Sequence, residues 1–108
     1  MKVLFVIMSG DEKMDLALTL AARSLDAKRY EDLKIIFFGP SQERLLSLSG
    51  PSKQAFDALN AAGAVDSACI NYAKNRGIDQ KLSAIVRLMP AGERIAYYIN
   101  SGYVPMVF

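Results

Sequence analysis

Three short, almost continuously apolar runs constrain the fold of this chain more than any other feature of its sequence. They span residues 3–8, 33–38 and 84–89, and only Arg87 interrupts the last of them. Strands with one solvated face alternate between apolar and polar residues, whereas continuous runs are typical of strands that helices cover on both faces. The three runs therefore predict the centre of a parallel β-sheet.

Two weaker candidates bring the predicted sheet to five strands. Residues 64–70 form one, and residues 103–108 form the other. The second contains Pro105, which has no N–H to donate to a neighbouring strand. We therefore expect residues 103–108 to lie at an edge of the sheet.

Helical segments with recognisable ends separate the predicted strands. Ser9 and Glu12 have the spacing of a capping box, in which both side chains accept hydrogen bonds from free backbone N–H groups. An apolar stripe follows, made up of Met14, Leu18, Ala21, Ala22 and Leu25. Further helices are predicted to begin near Pro40, Ser52, Asn71, Asp79 and Pro90. This alternation predicts one domain over residues 1–108, a three-layer α/β/α sandwich with a mainly parallel five-stranded sheet.

The composition excludes several classes of catalytic and metal site. The chain has no histidine and a single cysteine, Cys69. Histidine general bases, Ser-His and Cys-His pairs, zinc sites that need imidazole or several thiolates, and internal disulfides are therefore excluded. The loop after the first apolar run lacks a glycine-rich phosphate motif, and Asp11 and Glu12 place negative charge there. We expect neither a bound metal nor a cofactor.

Charge and hydropathy also restrict the partners that we expect. Thirteen basic residues stand against eleven acidic ones, and no block of like charge resembles the basic stripe of a nucleic-acid-binding protein. No apolar run reaches the roughly 18–20 residues of a membrane span, and no cleavage site follows the N-terminal run. We therefore expect a cytoplasmic protein that binds neither nucleic acid nor membrane.

The candidate site lies where the predicted strands end, because ligands of open parallel sheets bind outside the carboxyl ends of the strands. Cys69 falls at this edge and is the strongest nucleophile in the chain. Two interpretations remain open: a small buried apolar residue, or a thiolate stabilised by the positive end of the helix that follows. The residues that we expect to line a pocket beside it are Ser9, Gly10, Gly39, Asn71 and Met89.

The segment around Cys69 resembles the DsrE/DsrF-like family. Its members carry a strand that ends in cysteine, a short helix, and a glycine eight residues after the cysteine, as Cys69 and Gly77 are placed here. Arg76 precedes the glycine, as in several sulfur-relay members. Ala64 stands before Val65 where the family has glycine. The similarity extends in order over essentially the whole chain.

The resemblance implies a flavodoxin-like architecture and a sulfur-relay function. Cys69 would carry sulfane sulfur as a persulfide, receive it from a donor protein and pass it to an acceptor protein's thiol. Family members form trimers or hexamers, and the consecutive apolar residues 95–99 independently favour a homo-oligomer. The alternative is a non-catalytic oligomeric module for small-ligand binding or assembly, in which Cys69 is structural.

Overall fold

Five strands and six helices alternate along the chain, and the structure, a computed structural model, describes all residues from 1 to 108. The strands are β1 (Lys2–Ile7), β2 (Asp32–Phe37), β3 (Val65–Cys69), β4 (Leu88–Met89) and β5 (Tyr103–Val107). The helices are α1 (Glu12–Asp26), α2 (Ser41–Leu45), α3 (Gly50–Ala61), α4 (Ile70–Asn75), α5 (Asp79–Ser83) and α6 (Ala91–Asn100).

The five strands form one parallel sheet in the order β4-β3-β2-β1-β5. The predicted parallel α/β fold is therefore confirmed. The chain adds β2, β3 and β4 successively on one side of β1 and then crosses to the opposite edge, where β5 pairs with β1. Pro105 lies in this edge strand, as its missing N–H predicts.

Side chains of β1 alternate between two apolar layers, one on each face of the sheet. Val3, Phe5 and Ile7 belong to the larger core, together with residues of α1 to α5. Leu4 and Val6 belong to the smaller core, which α6 covers. Because both faces are buried, β1 needs no polar residue between Val3 and Ile7. Burial of each such large side chain contributes about 1.5–3 kcal/mol to folding.

The predicted capping box at the start of the first helix is wrong. Asp11 is the N-cap of α1, and its side chain accepts a hydrogen bond from the Lys13 backbone N–H at 3.0 Å. The Ser9 backbone N–H instead donates to the Phe108 carbonyl oxygen at 3.2 Å. The loop is therefore held to the end of β5, and α1 begins after Asp11, whose carboxylate caps the helix.

The strand predicted over residues 84–89 is much shorter in the structure. Only Leu88 and Met89 form β4. The backbone N–H groups of Ile85 and Val86 donate to the Leu82 carbonyl oxygen at 2.9 and 3.0 Å, so they belong to the turn that ends α5. Val86 is buried in the larger core all the same. The apolar run thus reflects burial of a turn rather than pairing in the sheet.

Substitution of Gly10 by alanine should destabilise the protein, because the loop after β1 touches the loop after β2. A Cβ at Gly10 would lie 2.8 Å from the Pro40 carbonyl oxygen, which is a contact with backbone that cannot rotate away. We expect a loss of about 1–3 kcal/mol, as for overpacking elsewhere. Urea unfolding measures this loss of unfolding free energy.

The matched control is Gly92→Ala, where a Cβ meets nothing within 4 Å and the residue is helical. That variant should be more stable by about 0.5 kcal/mol, because alanine is the better helix former. Equal effects of the two substitutions would contradict the close contact between the loops.

Asp66 anchors α6 to the sheet. Its carboxylate lies on β3 with the side chain 4% exposed, and it accepts hydrogen bonds from Arg94 at 2.8 and 3.1 Å and from the Tyr98 hydroxyl at 2.6 Å. Arg87 and Ser67 donate to the same carboxylate. Burial alone raises the pKa of the Asp66 carboxyl, but these hydrogen bonds outweigh it and lower the pKa to about 2. Burial and the bond to Asp66 raise the pKa of Tyr98 to about 12.

The free energy of unfolding should therefore decline in acid, because the Asp66 carboxylate becomes protonated. Because its pKa is lower in the folded protein than in the unfolded chain, its contribution is fully present above about pH 4. That contribution is lost as the pH falls from about 4 towards the folded value of about 2. Urea unfolding at a series of pH values should show the decline in wild type and a smaller one in Asp66→Asn. If the free energy of unfolding fell equally with pH in the two chains, Asp66 would not be the group responsible for the decline.

Candidate functional site

A cavity of about 470 Å³ opens at the carboxyl ends of β3 and β4. Phe38, which follows β2, forms one wall, and residues 90–93 at the start of α6 form another. The segment from the end of β3 through α4 supplies Cys69, Asn71, Tyr72 and Asn75. The cavity therefore lies at the edge where open parallel sheets bind their ligands.

Cys69 is the last residue of β3 and the N-cap of α4. It is 5% exposed, it belongs to the smaller core with Tyr98, and it is a free thiol. The helix predicted to begin near Asn71 begins one residue earlier, at Ile70, so Asn71 lies in its first turn and is exposed. The helix therefore begins directly after Cys69.

Gln42 fixes the backbone beside Cys69, and the sequence analysis missed it. Its side-chain Nε2 donates to the Cys69 carbonyl oxygen at 2.9 Å, and its Oε1 accepts from the Gly39 N–H at 3.0 Å. The side chain is completely buried. The amide thus ties the loop after β2 to the end of β3. A lone glutamine near the start of a short helix gives no sequence signal for this role.

Tyr72 links the cavity to a polar cluster on its other side. The Tyr72 hydroxyl donates to Glu43, and the Arg76 guanidinium lies over the Tyr72 ring, 4.9 Å from its centroid. Arg76 also forms an ion pair with Glu43 at 3.4 Å. Partial burial and the bond to Glu43 raise the pKa of Tyr72, so its hydroxyl stays protonated and acts as a donor.

The structure brings two of the six predicted site residues together in the Cys69 cavity, namely Cys69 and Asn71. Gly10 lines a neighbouring cavity on the other side of Tyr72. The three remaining residues, Ser9, Gly39 and Met89, line neither cavity. Gly39 is buried with a φ of 99°, and Met89 is the β-sheet partner of Cys69.

The arrangement offers one nucleophile in a mainly apolar cavity. No group of three or more histidine, cysteine, aspartate or glutamate side chains is placed to hold a metal ion. No helix combines the length and the apolar character that a membrane crossing needs. The cavity therefore presents the Cys69 thiol beside mainly apolar walls, an arrangement that suits thiol chemistry and the binding of a small apolar group.

Comparison with known proteins supports the fold and assigns no activity. No protein-family model matches the chain, and no curated protein matches it. A solved structure of a conserved protein of unknown function from Bacteroides thetaiotaomicron is similar, with a TM-score of 0.74 at 16% sequence identity. The match covers 99% of this chain and 95% of that one. At this identity the similarity shows that the two chains share an α/β fold over their whole lengths.

Proposed function

We propose that this chain is a DsrE-like sulfur-relay protein of the cytoplasm that carries sulfane sulfur on Cys69. The observation that carries the proposal is the position of Cys69 in the wall of an open cavity at the carboxyl edge of the sheet. The resemblance of residues 62–77 to the DsrE/DsrF-like family supports it. A reducing compartment would keep the thiol free between transfers.

The transfer requires two exchange steps on one sulfur atom. The Cys69 thiolate attacks the outer sulfur of a donor persulfide, the donor's S–S bond breaks, and the donor leaves as a thiolate. An acceptor thiolate then attacks the outer sulfur of the Cys69 persulfide, and Cys69 leaves as a thiolate. The oxidation states balance, because sulfane sulfur moves from one thiolate to another. Donor and acceptor are separate molecules, since the chain has no second cysteine.

The structure offers three features that suit such a carrier. The Cys69 cavity has room for an additional sulfur atom and for part of a donor or acceptor. Gln42 holds the Cys69 carbonyl oxygen, so the end of β3 is rigid beside the cavity. Tyr72 forms a further wall of the Cys69 cavity, and the Tyr72 hydroxyl is already hydrogen-bonded to Glu43.

Mass spectrometry of the intact folded protein after exposure to inorganic polysulfide tests the proposal. We expect one added sulfur per chain, located on Cys69 and removed by a thiol reductant. The same exposure in denaturant is the control. If sulfur is added only when the chain is unfolded, Cys69 is a core residue and the sulfur-relay function is wrong.

The burial of Cys69 favours a second candidate function, a small-ligand-binding module in which the thiol is part of the wall. At 5% exposure Cys69 resembles the buried cysteines that act as small apolar residues. The cavity volume of about 470 Å³ is within the range of small-molecule sites. A ligand that co-purifies with a Cys69→Ser chain would favour this function over sulfur relay.

We also propose that the protein is a homo-oligomer, because its exposed apolar side chains are concentrated on a few elements. Apart from Met1 and Met8, the large ones are Leu16 and Leu20 on α1, Tyr97 and Ile99 on α6, and Val104 and Val107 on β5. None of α2 to α5 exposes a large apolar side chain. Concentrated apolar exposure marks sites of protein association.

The native mass in solution should therefore be a multiple of 11.9 kDa. Replacing Val107, which is 66% exposed, with lysine should shift the mass towards the monomer, because a charge would be buried in the contact. Light scattering measures both masses. A monomeric wild-type chain at micromolar concentration would contradict the proposal.

A further inference from the structure

A second cavity, of about 430 Å³, lies beside the Cys69 cavity with Tyr72 as their shared wall. It opens at the carboxyl ends of β1 and β2, where Gly10 and Pro40 form part of its lining. Its other polar walls come from α2 and from the end of α4. Unlike the Cys69 cavity, it is lined mainly by polar groups. The polar lining includes Glu43, Arg44, Tyr72 and Arg76.

Arg44 has a buried donor that no protein atom satisfies. One terminal nitrogen, Nη2, donates to the Asp15 carboxylate at 2.6 Å. The Nε–H group is buried and has no hydrogen-bond partner. Buried N–H groups in folded proteins are almost always paired, so Arg44 keeps unused donor capacity at the edge of this cavity. Asp15 is absent from the lining of this cavity and lines an adjoining one, which Arg44 also lines.

Arg76 reaches the same cavity with most of its donors uncommitted. Its single ion pair, with Glu43, is long at 3.4 Å, and Glu43 is shared with the Tyr72 hydroxyl. The side chain is 54% exposed, and its guanidinium is positioned over the Tyr72 ring. A guanidinium has five N–H donors in a planar fork, which matches the oxygens of a carboxylate or a phosphate.

The charges in the lining favour an anion. Arg44 and Arg76 are cations, and Glu43 is the only acid among the lining residues. The two guanidiniums belong to different elements, so an anion between them would join α2 to the end of α4. Charge-assisted hydrogen bonds to two arginines are the usual means of holding a carboxylate or phosphate group.

We propose that this cavity binds the oxyanion, carboxylate or phosphate, of a small ligand between Arg44 and Arg76. The guanidinium groups of Arg44 and Arg76 donate to the oxygens of the anion. Cys69 is not among the lining residues, so the site does not depend on sulfur chemistry. It should therefore be retained in a Cys69→Ser chain even if the sulfur-relay function is wrong.

Titration of the full ¹⁵N-labelled chain with sodium phosphate and, separately, with sodium acetate tests the site by NMR. Sodium chloride keeps the ionic strength constant. We expect a saturable shift of the Arg44 Nε–H signal and of the Gly10 amide. A response to phosphate alone identifies a phosphate-bearing ligand, and an equal or stronger response to acetate identifies a carboxylate. Absence of a saturable shift with both probes would overturn the proposal.

Three variants make the test specific. Arg76→Gln should weaken binding about tenfold, the effect of losing one charge-assisted hydrogen bond. Glu43→Gln should tighten binding, because it removes the repelling carboxylate and frees Arg76. The matched control is Arg23→Gln, which removes the same charge from an exposed position on α1. Because solvent screens this exposed charge, the substitution should change the affinity less than about twofold. Equal weakening by Arg76→Gln and Arg23→Gln would show a non-specific charge effect and would also overturn the proposal.

Discussion

A Cys69→Ser chain should take up no sulfur from inorganic polysulfide, whereas the wild-type chain should gain one sulfur atom. The loss should be complete, because Cys69 is the only thiol in the sequence. Serine is close to cysteine in size, so we expect the fold to survive. The serine hydroxyl would be buried in the smaller core, which α6 covers, and should lower the free energy of unfolding by about 1–3 kcal/mol. Mass spectrometry measures the uptake, and urea unfolding measures the stability.

A Cys69→Ala chain is the matched control, because it removes the thiol without adding a buried hydroxyl. It should also take up no sulfur, and it should be more stable than the serine variant. Added sulfur on either variant would show that the uptake does not involve this thiol. Such a result would leave the small-ligand module as the better interpretation of the cavity.

Replacement of Asp66 with asparagine should lower the free energy of unfolding by about 3 kcal/mol, the lower end of the cost of breaking a buried ion pair. The amide carries no charge, so Arg94 loses its partner while it remains largely buried, at 21% exposure. The Tyr98 hydroxyl keeps only a neutral acceptor. Because both groups lie on α6, we expect this helix to be the element most affected. Urea unfolding at neutral pH measures the loss.

Asp57→Asn is the matched control for this prediction. Asp57 also pairs with a cation, Lys53, but both side chains are exposed on α3. Exposed pairs of this kind contribute about 0.3–0.5 kcal/mol, so the control should be nearly as stable as wild type. Equal losses in the two variants would show that α6 is held by apolar packing alone. Should Asp66→Asn not fold, Tyr98→Phe removes one hydrogen bond to Asp66 and should cost about 1 kcal/mol.

The fold class was predictable because the burial of a strand is visible in the pattern of apolar residues along it. Residues 3–8 and 33–38 are apolar apart from Lys34 and do not alternate, and the structure shows why: β1 and β2 are covered by helices on both faces. Pro105 marked an edge strand, since an interior strand needs the N–H that proline lacks. The position of Cys69 at the end of a strand was predicted in the same way, from the order of the elements.

The same local pattern of apolar residues gave wrong predictions where a buried segment is not paired in the sheet. Residues 84–86 are as apolar as a strand, yet their backbone N–H groups donate within the turn that ends α5. At the start of α1 two acceptors competed, and Asp11 became the cap because the Ser9 N–H is bonded to Phe108 at the far end of the chain. In both cases the deciding hydrogen bond is not visible in the pattern of side chains.

The sequence by itself determined which segments are buried, and therefore the parallel α/β class and the edge at which Cys69 lies. Only the tertiary structure decided which polar groups meet. It placed Gln42 on the Cys69 carbonyl, and it gathered Arg94 and Tyr98 around Asp66 and Glu43 around Tyr72. These partners lie 27 to 32 positions apart along the chain. Local periodicity reports how deeply a residue is buried, but the partner of a polar side chain is set by how the layers pack.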